Sequence, residues 1–133
     1  MYKAILDTYP RPLDRIFTPE DLERLYQLVD ITWGKDEPMP EEELQAAKAE
    51  ASFIIGCNPS KIGGIRKDEA PNLKAIMEVG GMHPGAKVLD YKTSFRRGIR
   101  VLSCAPAFAP QVAEQALGLA LAVNRKIVST DRA

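Results

Sequence analysis

The 133-residue sequence is poor in the side chains that bind transition metals. It contains two cysteines, Cys57 and Cys104, and one histidine, His83. The cysteines lack the short spacing of zinc sites, and two thiols do not make the framework of a small secreted domain held by disulfides. Buried structural thiols are favoured over redox-active ones. We therefore expect no metal site, reduced thiols and a cytoplasmic protein.

The sequence also lacks an excess of charge and a long apolar run. Its 18 basic and 18 acidic residues balance, which gives no electrostatic reason to expect nucleic acid or an anionic membrane as partner. No signal peptide is recognisable at the N-terminus. The most apolar stretch, residues 112–127, contains Glu114 and Gln115 and is shorter than the roughly 20 apolar residues that cross a bilayer. The sequence therefore predicts neither a nucleic-acid nor a membrane partner.

Five short apolar runs are separated by segments long enough for crossover helices. Several runs are apolar on both faces, which is typical of parallel strands covered by helices. The predicted strands are Tyr2 to Leu6, Asp30 to Gly34, Ser52 to Gly56, Leu73 to Met77 and Ile99 to Ser103.

The intervening segments carry helical patterns. In "TPEDLERLYQL", Thr18 is the predicted N-cap and Pro19 the first helical residue. Further helices are predicted in "PEEELQAAKAE", in "KVLDYKTSFRRG" and in a short turn over Arg66 to Ala70. This alternation predicts an α/β fold: a doubly wound parallel sheet of five strands in the flavodoxin-like order 2-1-3-4-5, with a long apolar C-terminal helix.

Ligands of such a sheet bind outside the carboxyl ends of its strands. The loops predicted there are Asp7 to Asp14, Lys35 to Met39, Cys57 to Gly64, Glu78 to Ala86 and Cys104 to Pro110. In "EVGGMHPGA" the glycines allow close approach of the backbone, so that its N–H groups can hold a carboxylate or phosphate. The alternative is that these glycines only turn the chain.

Three stretches, "APNLKAIMEVGG", "RRGIRVLSCAP" and "VAEQALGLALAVNRKI", are similar to the D-isomer-specific 2-hydroxyacid dehydrogenases, which include phosphoglycerate dehydrogenase and glyoxylate reductase. "FIIGCNPSKI" is a looser match, and the first part of the chain agrees in pattern only. The resemblance implies the N-terminal substrate-domain portion of an NAD(P)-dependent oxidoreductase acting on a small 2-hydroxy or 2-oxo acid. Residues 1–108 would form the flavodoxin-like substrate-binding domain, and residues 109–133 a long helix that crosses into a cofactor domain outside this sequence.

The resemblance places the family's catalytic arginine, glutamate and histidine beyond Ala133, and the sequence contains no Gly-x-Gly-x-x-Gly motif. No catalytic residue is therefore assigned here. The segment alone is expected to be inactive and not to bind NAD or NADP tightly, and the choice between these cofactors is not readable.

Matching positions nevertheless supply candidate binding residues. Val79, Gly80 and Gly81 would offer backbone amides to the substrate carboxylate, and Gly81 would also line the cofactor cleft. Asn58 and Ser60 correspond to substrate-contacting positions in some family members, with ordinary turn residues as the alternative. "MHPG" after the glycines departs from the family pattern, so the particular acid is not readable. His83 is interpreted as a loop residue, because the family's catalytic histidine comes from a later segment.

The last helix has apolar residues around most of its circumference, more than one sheet face covers. We expect a homodimer through this helix, with Pro110 in its first turn. The predicted interface residues are Leu117, Leu119, Leu121 and Val123. The alternative is that the helix packs on its own sheet as a fifth crossover helix.

Two other classes with similar sheets fit less well. A receiver domain needs an aspartate after the third strand and a lysine after the fifth, where Cys57-Asn58 and Ser103-Cys104 stand. A flavodoxin needs a phosphate loop rich in serine and threonine after the first strand, and "DTYPRPLD" has only Thr8. A non-catalytic flavodoxin-like interaction or oligomerisation module remains the alternative function.

Overall fold

A computed structural model of the chain describes residues 1–56 and 70–131. Within these ranges a 3-10 turn at Leu13–Arg15 precedes the first helix. The strands are β1 (Tyr2–Asp7), β2 (Val29–Trp33), β3 (Phe53–Gly56), β4 (Ala75–Glu78) and β5 (Arg100–Ser103). The helices are α1 (Pro19–Leu28), α2 (Glu41–Lys48), α3 (Tyr91–Arg96), α4 (Ala105–Asn124) and α5 (Ile127–Asp131).

The five strands form one parallel sheet in the order β2-β1-β3-β4-β5. The predicted α/β class and the predicted strand order are confirmed. Because the chain moves from β1 to β2 on one side and from β3 to β5 on the other, the order reverses between β1 and β3. In sheets of this kind, ligands bind at the carboxyl edge beside that reversal.

One face of the sheet carries the core. Ile5 pairs with Ile54, Ile54 with Ile76, and Ile76 with Val101, so these four side chains form a row across four strands. The three isoleucines are buried and Val101 is half-buried. The other buried residues of this core lie in one helix and in the segments that connect the strands: Met39, Leu44, Ala51, Ala70, Leu73, Leu89 and Ile99.

The opposite face is covered only in part. Leu6 pairs with Ile55, Ile55 with Met77, and Met77 with Leu102. Leu6 and Ile55 are buried, Met77 is half-buried, and Leu102 is 48% exposed. Cover on this face therefore decreases from β1 towards β5.

Local sequence explains where two helices begin. Thr18 caps α1, because its hydroxyl accepts the N–H of Asp21 at 3.2 Å, and Pro19 is the first helical residue as predicted. Asp90 caps α3 by accepting the N–H of Thr93 at 3.0 Å. That cap starts α3 after "KVLD", so the helix is shorter than the predicted segment. Residues 66–69 of the predicted turn at Arg66 to Ala70 lie outside the described residues.

Helix α4 begins at Ala105, four residues before the predicted start at residue 109. The segment predicted as a loop from Cys104 to Pro110 is mostly helical, and the prediction that Pro110 lies in the first turn is wrong. Pro106 already fits the start of the helix, where no intrahelical N–H is required, and the hydroxyl of Ser103 accepts the N–H of Ala105 at 3.1 Å. Pro110 therefore lies inside the helix.

Helix α4 does not lie on its own sheet. None of its 20 residues is buried, and within it only Ala105 and Ala122 are half-buried. The alternative of a fifth crossover helix packed on the sheet is therefore wrong. The helix ends at Asn124, and Lys126, with φ of 52°, separates it from α5.

Candidate functional site

A pocket of about 310 Å³ lies at the carboxyl edge of the sheet. It lies between the loop after β1 and the loop after β4. These two strands flank β3 in the sheet. Its lining residues are Pro10, Arg11, Glu78, Gly80, Met82, His83, Pro84 and Gly85. The loop "EVGGMHPGA" therefore lies where sheet topology places a ligand site.

The glycine loop folds around the carboxylate of Glu78. This side chain is buried and accepts the backbone N–H groups of Gly80, Gly81 at 3.0 Å and Met82 at 2.9 Å. The hydroxyl of Ser103 lies 3.4 Å from the same carboxylate, to which it donates. Three consecutive amides directed at one anion form an anion-binding concavity, and here the chain fills it with its own carboxylate.

Glu78 also connects the loop to the start of α4. Its carbonyl accepts the N–H of Cys104 at 3.1 Å, while Ser103 bonds both the Glu78 carboxylate and the N–H of Ala105. The glycine loop, the end of β5 and the first turn of α4 thus share one hydrogen-bond network. A change in Glu78 is expected to affect all three.

Gly81 is the residue whose backbone needs glycine. Its φ is +96°, and a β-carbon there would lie 3.3 Å from the ring of Phe108 in α4. A side chain at this position would be strained and would also push the ring. The glycine loop and α4 therefore pack directly on each other.

The loop after β1 is fixed by Thr8. This buried side chain donates from its hydroxyl to the carbonyl of Arg11 at 2.8 Å, and the N–H of Arg11 donates to the carbonyl of Thr8 at 2.9 Å. Neighbouring Asp7 is buried at the end of β1, and one of its carboxylate oxygens accepts the N–H of Met39 at 3.3 Å. The backbone that carries Arg11 to the pocket is therefore held in place.

The predicted site residues fall into three groups. Gly80 lines the pocket, Gly81 stands beside it against Phe108, and Val79 donates its N–H to the carbonyl of Gly56 at 3.0 Å. Asn58 and Ser60 lie outside the described residues. The leucines and valine predicted as an interface are all more than half exposed: Leu117, Leu119, Leu121 and Val123.

Three pocket residues were given no ligand role from the sequence. His83 was interpreted as a loop residue, and it lines the pocket. Glu78 is the first residue of the glycine-rich loop, and an acid two residues before a pair of glycines at a strand end is a usable signal for a loop that folds around a carboxylate. Nothing in the sequence pattern singles out Arg11.

None of the helices within residues 1–56 and 70–131 is both long and apolar enough to cross a lipid bilayer. Within the same ranges, no cluster of three histidine, cysteine or acidic side chains is arranged to hold a metal ion.

No protein-family model matches the chain. The sequence is 33% identical over 122 residues to a glyoxylate reductase of Thermofilum pendens, which covers 89% of this chain and 34% of that protein. The fold is similar to the crystal structure of a phosphoglycerate oxidoreductase from Rhizobium etli, with a TM-score of 0.63 and 31% identity over 98% of this chain and 39% of that one. The chain thus spans about a third of the length of the curated relative.

Proposed function

We propose that this chain, a relative of the D-isomer-specific 2-hydroxyacid dehydrogenases, is the substrate-binding domain of an NAD(P)-dependent enzyme of that type. The observation that carries the proposal is helix α4, which has 20 residues, none of them buried, and starts beside the pocket. A helix with apolar side chains on most sides is stabilised when protein covers it on several sides. A cofactor-binding lobe packed around α4 would bury these apolar side chains and would close the open side of the pocket.

The proposed reaction transfers a hydride between C2 of a small 2-hydroxy or 2-oxo acid and the nicotinamide of NAD or NADP, which supplies or accepts it. The described residues do not themselves fit a nicotinamide nucleotide. The space beside Gly81 is filled by the ring of Phe108, and the sequence has no Gly-x-Gly-x-x-Gly turn. We therefore assign the cofactor to the second lobe, bordered here by the main chain of Gly81.

The part of this chain in the proposal is to bind and orient the acid. Val79, Gly80 and Gly81 would form a wall of the substrate cleft, and this wall is rigid because Glu78 ties the loop amides to the end of β5. Rigid positioning of a substrate contributes to catalysis by reducing the entropy lost on the way to the transition state. Asn58 and Ser60 remain proposed substrate contacts.

The proposal is tested by supplying a second lobe. The whole chain is fused ahead of the part of the Thermofilum pendens glyoxylate reductase that it does not span, and oxidation of NADH or NADPH by glyoxylate is followed. We expect turnover by the fusion and none by the unfused chain. A matched fusion carrying Leu117→Glu and Leu121→Glu should lose turnover, because the packing of the second lobe or of a partner copy on α4 is lost. A folded fusion that binds the nucleotide but reduces no 2-oxo acid would contradict the proposal.

We further propose that α4 forms a homodimer contact through Leu117, Leu119, Leu121 and Val123, and that the protein works in the cytoplasm. At roughly 25 cal/mol per Å² of apolar surface, covering several such side chains contributes some kcal/mol to association. The exposure of all four residues supports this part of the proposal.

A non-catalytic interaction or oligomerisation module is the second candidate. The same exposed helix favours it, because docking through α4 needs no chemistry at the pocket. Reading the gene beyond codon 133 distinguishes the two functions. An open frame that continues into a Gly-x-Gly-x-x-Gly motif favours the enzyme, and a stop codon favours the module.

A further inference from the structure

We propose that a second pocket, at the amino edge of the sheet, binds the phosphate group of a small phosphorylated molecule. This pocket has a volume of about 590 Å³, which is within the range of small-molecule sites. It lies at the opposite edge from the candidate site and does not depend on the proposed function. Its polar side chains belong to Tyr2, Lys3, Glu50, Ser52, Asn72 and Lys74.

The backbone places Ser52 between two lysines. The N–H of Ser52 donates to the carbonyl of Lys3 at 2.8 Å, and the N–H of Lys74 donates to the carbonyl of Ser52 at 2.8 Å. These bonds continue the pairing of β1 with β3 and of β3 with β4, so neighbouring residues of the three are about 4.8 Å apart. An anion at Ser52 is therefore within reach of both ammonium groups.

The hydroxyl of Ser52 is the most specific sign of a ligand. The residue is 6% exposed and lines the pocket. Within residues 1–56 and 70–131, no group forms a hydrogen bond with its side chain. Because a buried polar group without a partner is costly, such groups in native proteins are bonded to water, an ion or a ligand. The Ser52 hydroxyl can donate to an oxygen of the bound molecule.

Lys74 provides a cation that is held in place by an aromatic ring. Its Nζ lies 4.6 Å from the ring centroid of Tyr2 and donates to the Tyr2 hydroxyl at 3.4 Å. No carboxylate in the described part of the chain forms an ion pair with Lys74. The ring therefore orients the ammonium group, while its charge is available to an anion.

Lys3 provides the second cation. It forms an ion pair with Glu50, in which the side chains are 46% and 63% exposed. Exposed pairs of this kind are weak, and an ammonium group has three N–H donors, so Lys3 can also bind a second anion. Two lysines against one glutamate leave the lining of the pocket with a positive charge.

The donor set favours phosphate over carboxylate. A tetrahedral phosphate has three oxygens for two ammonium groups and one hydroxyl, and lysine binds phosphate as a point charge. Planar pairing with a carboxylate is the strength of arginine, and no arginine is among the described residues that line this pocket. Asn72, whose side-chain amide donates to the carbonyl of Ala49 at 3.3 Å, offers a further polar group to the rest of the ligand.

The ligand would leave the candidate site free. Strand β4 separates the two places, because it begins directly after Lys74 and ends at Glu78. At about 3.3 Å per residue, the Cα atoms of Lys74 and Glu78 are roughly 13 Å apart. Binding at Ser52 can therefore be measured apart from binding at the glycine loop.

The test is titration of the whole chain with glycerol 3-phosphate, followed by the backbone amide signals in NMR at constant ionic strength in phosphate-free buffer. We expect shifts at Ser52, Asn72 and Lys74 and none at residues 80–85. Lys74→Met and Ser52→Ala should each weaken binding at least about tenfold, as expected for loss of a hydrogen bond to a charged group. Wild-type shifts confined to residues 80–85, or no binding, would overturn the inference.

Lys35→Met is the matched control. The Nζ of Lys35 lies 4.2 Å from the ring centroid of Trp33, so this exposed lysine makes the same kind of aromatic contact, but it lines none of the described pockets. The variant should bind glycerol 3-phosphate like the wild type. Equal weakening by Lys35→Met and Lys74→Met would show that only the overall charge matters and would overturn the site.

Titration with sodium acetate under the same conditions separates phosphate from carboxylate recognition. We expect acetate to bind at Ser52 at least about tenfold more weakly than glycerol 3-phosphate. Equal affinities of the two anions at Ser52 would overturn the assignment of the pocket to phosphate.

Discussion

Gly81 lies against the ring of Phe108, and a β-carbon on Gly81 would stand 3.3 Å from Cδ2 and 3.6 Å from Cε2 of that ring. This contact joins the loop of the candidate site to helix α4, the element that we propose carries the second lobe. The glycine here thus serves two purposes, since its φ of +96° turns the loop and its missing side chain admits the ring.

Gly81→Ala is expected to lower the free energy of unfolding by about 1–3 kcal/mol, because alanine is strained at this φ and crowds Phe108. Gly85→Ala is the matched control, since no heavy atom lies within 4 Å of its added β-carbon. Urea denaturation of both variants measures the difference. Equal free energies of unfolding for the two variants would contradict the strain expected at residue 81.

Glu78→Gln is expected to destabilise the protein by about 1–3 kcal/mol, because the amide group that replaces one oxygen has no lone pair to offer and leaves a buried N–H without its acceptor. Hydrogen exchange at the amides of Gly80, Gly81 and Met82 should accelerate. Glu114→Gln, on the exposed face of α4, is the control and should change neither stability nor exchange. Unchanged protection in Glu78→Gln would contradict the network around this carboxylate.

The double variant Leu117→Glu, Leu121→Glu is expected to weaken self-association through α4. Light scattering of the wild type should show a mass that rises with concentration, whereas the variant should keep the mass of one chain. Leu28→Glu provides the control, because Leu28 is an equally exposed leucine on α1, at 64% against 62% for Leu117. A wild-type protein that is monomeric at high concentration would contradict the homodimer.

The stability of the protein should depend on the charge of Asp90. Hydrogen bonds from the side chain and then the backbone N–H of Thr93 hold the pKa of Asp90 below its ordinary 3.8. A carboxyl whose pKa is lower in the folded state stabilises that state above its unfolded pKa and loses this contribution as the pH falls through its folded pKa. Asp90→Asn keeps a capping oxygen but cannot titrate, so its unfolding midpoint should depend less on pH below 3.8 than that of the wild type. The same change of the unfolding midpoint with pH in both proteins below pH 3.8 would contradict this prediction.

Much of the fold follows from local patterns. The five strands, their order and the Thr18 cap of α1 are predicted because apolar runs, a capping hydroxyl and a following proline act within a few residues. The start of α4 is missed because two prolines, Pro106 and Pro110, both suit a helix start. The bond from Ala105 to Ser103 favours the earlier one.

The candidate site is less readable because its contacts join distant parts of the chain. The sequence indicates that the amides of the glycine loop face an anion, but it does not say which one. Glu78 takes that place through its position at the end of β4 and its contact with Ser103 on β5. Arg11 reaches the pocket because only β3 lies between β1 and β4 in the sheet and the loop after β1 bends towards the loop after β4, a bend that the strand order alone does not give.

The single hydroxyl of Ser103, shared by Glu78 and Ala105, stands at the base of a helix about 30 Å long. A tilt of about 10° at this base would displace the far end of α4 by roughly 5 Å. The bond from Ala105 to Ser103 and the contact of Phe108 with Gly81 both oppose such a tilt, because they tie the first turn of α4 to the glycine loop. A lobe carried by α4 would therefore keep its distance from the floor of the pocket.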